Sequence, residues 1–83
     1  MSKFDRQTIE ARVKEILVSH LDVDENVIKP ESILRDLDVD SLDVVEVVMQ
    51  LEHDFEITIT DQQADSMEGW KVSEICDLVE RLA

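Results

Sequence analysis

Apolar residues recur along this chain at the three- and four-residue spacing of amphipathic helices, in three separate stretches. The first holds Ile9, Val13, Ile16, Leu17 and Leu21, with Glu10, Arg12, Lys14 and Glu15 between them, and predicts a helix from about Asp5 to His20. The second opens at Asp40-Ser41 and runs to about Phe55. On a helical wheel Leu42, Val44, Val45, Val48, Met49, Leu51 and Phe55 fall on one broad face, opposite Asp43, Glu46, Val47, Gln50, His53 and Asp54. Its valines lose rotamer freedom in a helix and favour strands, but the length and the recurring charges decide for a helix. Glu52 breaks the apolar arc, where a long side chain can snorkel out of a helix end. Val72, Ile75, Cys76, Val79 and Leu82 mark the third stretch. Ahead of it, Thr60-Asp61-Gln62-Gln63 fits a capping box and starts a short helix at Asp61, which Gly69 interrupts. Between the first two stretches, Asp22 to Val39 contains Lys29-Pro30 and no sustained period. Val27, Ile28, Ile33, Leu34 and Leu37 are expected to tuck this segment against the helices, and so long a connection is more often functional than idle. The predicted class is all-α: a small four-helix bundle of three longer helices and one short one, with a long first loop.

At 83 residues the chain is expected to form a single domain over 1–83. One Gly and one Pro argue against a turn-rich sandwich or barrel. A single cysteine, Cys76, excludes an intramolecular disulfide scaffold and a multi-cysteine zinc site, and its place on the apolar face of the last helix makes it a core residue. Neither a signal peptide nor a bilayer-spanning run is recognisable, so the expected location is the cytoplasm without membrane insertion.

Charge changes the picture more. The chain carries 21 acidic and 8 basic residues, a net −13, which disfavours nucleic-acid binding because phosphate contacts need a basic surface. Residues 36–70 hold 11 of the acids and no Lys or Arg. Repulsion within that stretch costs stability, and it suits a basic partner or bound cations.

Candidate chemistry is sparse. His20 at a helix end and His53 on a polar face read as surface residues, Trp70 as a packing anchor, and no hydrolytic arrangement emerges. Asp36-x-Asp38-x-Asp40 begins like an EF-hand loop, but the sixth and twelfth positions are Ser41 and Val47 rather than Gly and Glu, so no metal site is expected. Ser41 stands at a loop-to-helix junction between Asp40 and Leu42. It is either a helix cap, as Asp40 could also be, or a hydroxyl displayed for modification. It lacks a nearby base to make it a nucleophile, whereas an attached phosphodiester would lie near N–H groups that favour anions.

Asp40-Ser41-Leu42-Asp43, followed by Val45-Glu46-Val47-Val48-Met49 and Leu51-Glu52-His53-Asp54-Phe55, resembles the acyl carrier proteins of dissociated (type II) fatty acid synthesis. Ile33-Leu34-Arg35-Asp36-Leu37 is similar to the family's approach to its modified serine, and Ile57-Thr58-Ile59-Thr60-Asp61 to its entry to the third helix. The resemblance covers about Thr8 to Leu82. It implies a non-catalytic carrier with 4′-phosphopantetheine on Ser41, flanked by Asp40 and Leu42, transferred from coenzyme A by a holo-synthase. The arm's thiol would bear acyl groups as thioesters. In the family the acyl chain can hide between the helices, here along the arc from Leu42 to Phe55 and Ile75 to Val79. Asp43, Glu46, Gln50 and Asp54, with Val47 as an exposed apolar dimple, form the expected docking face for fatty acid synthesis enzymes and acyltransferases with basic patches. The carrier itself is expected to be a monomer. Two features depart from the pattern: Asp38-Val39 stands where the family often has Gly and a small or apolar residue, and Met67 to Val72 is slightly long. These keep open a specialised carrier of a polyketide or other dedicated pathway. A different class, an unmodified acidic interaction module with Ser41 as a mere cap, is the remaining alternative.

Overall fold

Four helices form where side chains can satisfy their leading N–H groups. The computed structural model describes residues 4–83; residues 1–3, part of the expected single domain, lie outside them. α1 (Arg6–Leu21) is capped by Asp5, whose carboxylate accepts the Thr8 N–H at 2.8 Å. α2 (Ser41–Phe55) starts at a reciprocal capping box between Asp40 and Asp43. α3 (Asp61–Ser66) has the box expected of Thr60 and Gln63, and runs into a single 3-10 turn, Met67–Gly69. α4 (Val72–Leu82) begins where the Glu74 carboxylate accepts the Lys71 N–H at 2.9 Å. Among the described residues there is no named strand, so the all-α bundle of three longer helices and one short one is the observed architecture.

α1 packs against both α2 and α4. Ile9, Val13 and Leu17 meet Val44, Val47, Leu51 and Phe55 of α2 and Ile75, Leu78 and Val79 of α4 in one buried cluster. Burial of each such side chain contributes about 1.5–3 kcal/mol. Cys76 is buried among them as expected, and Trp70 is half-buried against the same cluster.

The long connection is held rather than loose. Ile28, Leu34 and Leu37 are buried, while Val27, expected to tuck in, is exposed. Three backbone bonds fix the segment to the start of α4: Leu34 N–H to Trp70 O at 3.0 Å, Val72 N–H to Ser32 O at 2.8 Å, and Ser73 N–H to Pro30 O at 2.9 Å. The loop ends in a 3-10 turn, Leu34–Leu37, closed by Asp38 at φ 61°. Asp38 therefore adopts the left-handed conformation that glycine takes without strain.

The face of α2 needs correction. Val47, expected on the exposed docking side, is 1% exposed, whereas Leu42, Val45 and Met49, expected in the core, are 65%, 50% and 62% exposed. The buried set is Val44, Val47, Val48, Leu51 and Phe55. These follow the i, i+3, i+4, i+7, i+11 pattern, a stripe about 100° wide. The broad apolar face of the sequence therefore consists of this stripe and a second apolar strip turned to solvent. Glu52 sits on the boundary between them. Its carboxylate accepts the Ile59 N–H at 2.8 Å and so ties the α2–α3 connection to α2.

Candidate functional site

Everything that positions Ser41 lies within five residues of it. Leu37 anchors the turn in the core, Asp38 reverses the chain, and Asp40 caps the helix that Ser41 begins. The Asp40 carboxylate accepts the Asp43 N–H at 2.9 Å, and Asp43 accepts the Asp40 N–H at 3.2 Å. Capping is thus the task of Asp40. Ser41 is exposed, and its hydroxyl has no hydrogen-bond partner among the described residues. Its own N–H and that of Leu42 belong to the first turn, where no intrahelical acceptor exists.

Beside the serine, between α2 and α3, is a hollow of about 120 Å³ lined by Ser41, Val44, Val45, Ala64, Asp65 and Glu68. The apolar arc expected to shelter a chain is otherwise filled: Val48, Leu51, Phe55, Ile75 and Val79 are packed core.

Of the residues expected at the docking face, the structure brings some together and engages others. Glu46 is exposed, with its carboxylate 3.6 Å from His20 Nδ1 of α1. Asp43 is half-buried in the capping box, and Asp54 accepts a 2.8 Å bond from the Gln50 amide. Val47 is removed from the face by its burial. Leu42, Val45 and Met49 instead form an exposed apolar strip beginning one residue after Ser41. With the buried stripe centred on Leu51, these three residues fall outside it. Among the described residues no group of three or more His, Cys, Asp or Glu side chains converges as a metal site, and no helix is long and apolar enough to cross a membrane.

The Ser41 hydroxyl thus stands unbonded on the first turn of a helix, next to an exposed apolar strip and an acidic flank. Residues 11–79 match the family model described as the phosphopantetheine attachment site. The acyl carrier protein of Campylobacter lari is 45% identical over 71 residues, covering 84% of this chain and 90% of that relative. The acyl carrier protein of Helicobacter hepaticus is 51% identical over 60 residues, covering 71% of this chain and 79% of its own. The chain belongs to the acyl carrier proteins, which hold acyl chains on covalently attached phosphopantetheine. The residues here fit such a group: a free hydroxyl to esterify, open helix N–H groups for its phosphate, and a part-apolar hollow alongside.

Proposed function

We propose that Ser41 is the residue that bears 4′-phosphopantetheine, within a single carrier domain over about residues 8–82, and that the chain delivers acyl groups without catalysing their chemistry. The observation that carries this reading is the division of labour at the start of α2. Asp40 satisfies the helix, so the Ser41 hydroxyl remains free for esterification. The arm supplies a thiol that bears the acyl group as a thioester. The residues around it do the rest: Asp38 and the buried Leu37 hold the loop so that Ser41 stays exposed, and the open first-turn N–H groups favour the phosphate's charge. Tethering keeps the acyl group at high effective concentration once the carrier docks.

Docking follows from the corrected face. Glu46, with the acidic stretch 36–70 behind it, would orient the approach of a basic patch, and Leu42, Val45 and Met49 would supply contact area. The partners proposed are a phosphopantetheinyl transferase, the holo-synthase, and the enzymes of fatty acid synthesis. The site of action is proposed to be the cytoplasm and the working form a monomer. Incubation with coenzyme A, Mg²⁺ and a broad-specificity transferase tests the core of this. The native chain should gain one arm, and Ser41→Ala should gain none while keeping its helical circular dichroism. Modification that persists in Ser41→Ala would move the site elsewhere. An unmodified native chain would favour the acidic interaction module.

A further inference from the structure

A second recess, sharing no residue with the hollow at Ser41, opens between α1, α4 and the loop around Pro30. It holds about 360 Å³, which lies within the ~300–1,000 Å³ of small-molecule sites. Its apolar lining comes from Ala11, Ile28, Val72 and Cys76. Burial pushes the Cys76 thiol up to about 11, so this lining is uncharged at neutral pH.

Lys14 and Lys29 also line the recess. In a chain with 21 carboxylates for 8 cations, these two ammonium groups have no ion-pair partner among the described residues. The one carboxylate that lines the recess, Glu10, is engaged by Arg6 at 3.0 Å, which also pairs with Asp77 at 2.7 Å and Glu80 at 3.6 Å. Among the lining side chains two ammonium groups therefore face one carboxylate, on a molecule of net −13. An apolar lining under two uncompensated cations is complementary to an anion with a short hydrocarbon tail.

We propose that this recess binds a small amphipathic carboxylate from solution, its tail against Ala11, Ile28, Val72 and Cys76 and its head at Lys14 and Lys29. The proposal stands independently of the arm on Ser41. Its test is an amide-shift titration of the full-length Ser41→Ala chain, which can carry no arm, with octanoate, 1-octanol and acetate as separate probes. Octanoate should give saturable shifts confined to residues 7–14, 28–30 and 72–76, and should bind about tenfold more tightly than octanol. Charge reversal by Lys14→Glu with Lys29→Glu should weaken octanoate about tenfold, as expected for the loss of two partly exposed ion pairs. Ala11→Phe, a change at an exposed helix position, should block the site and leave the helical spectrum intact. Equal binding of octanol and octanoate, shifts centred on the Ser41 hollow, or no saturation would each overturn the proposal.

Discussion

Val47→Ala and Val45→Ala remove the same two methyl groups from neighbouring positions of one helix, so their difference reads out which way α2 faces. Val47 is 1% exposed and joins the cluster with Leu51, Phe55 and α1; Val45 is 50% exposed. Deleting two buried carbons costs about 1.6 kcal/mol at ~0.8 kcal/mol each, and the residual cavity brings this to about 2–3 kcal/mol. At Val45 the loss is about half the transfer cost, about 0.8 kcal/mol, and alanine's better helix propensity cancels because it applies at both positions. The expected gap is therefore about 1.5 kcal/mol, or roughly 6–12 °C in melting temperature for a domain of this size. Urea unfolding followed by circular dichroism at 222 nm, at fixed salt, measures it directly. Transfer of phosphopantetheine to each folded variant supplies the second axis. Val45→Ala should slow modification with little loss of stability, and Val47→Ala should do the reverse. Equal destabilisation, or a larger loss at Val45, would refute the assigned rotation of α2 and with it the proposed docking strip.

Three further outcomes follow from particular residues. Asp38→Gly should stabilise the fold by about 1 kcal/mol, because a side chain at φ 61° carries a penalty that glycine escapes; an unchanged urea midpoint would show that its carboxylate makes good the strain. Burial raises the folded-state pKa of Cys76 from an ordinary 9.0 to about 11, so its stabilising share is whole below pH 9 and is lost as pH climbs towards 11. Cys76→Ser should flatten that alkaline decline relative to the native chain. Added salt or millimolar Mg²⁺ should raise the melting temperature, since residues 36–70 concentrate 11 acids without a Lys or Arg. Insensitivity to both would mean that these charges are fully solvated.

What the sequence discloses depends on whether a feature is local. The Thr60–Gln63 box, the start of α2 at Asp40 and the burial of Cys76 were legible because each rests on short spacing. The rotation of α2 is not a local property. Seven apolar residues and an eighth, Val47, wrap most of that helix, and its packing against α1 and the shared core selects the stripe centred on Leu51. Which of two adjacent candidates caps the helix is likewise undecided by residue type, since aspartate and serine both favour the position. The Asp40–Asp43 geometry resolves it and leaves Ser41 free. Glu52 had no evident role along the sequence because its partner, the Ile59 N–H, lies beyond the helix end. The clasp between residues 30–34 and 70–73 depends on tertiary approach alone and leaves no sequence pattern.

Acyl groups are proposed to ride on an arm at Ser41. Intact-mass measurement of the protein isolated from its own cells, followed by fragmentation, tests this most directly. One phosphopantetheine is expected, localised to the peptide containing Asp40-Ser41-Leu42, with acyl masses on a fraction of molecules that mild hydroxylamine removes as thioesters. An unmodified Ser41, or an arm on any other residue, would contradict it.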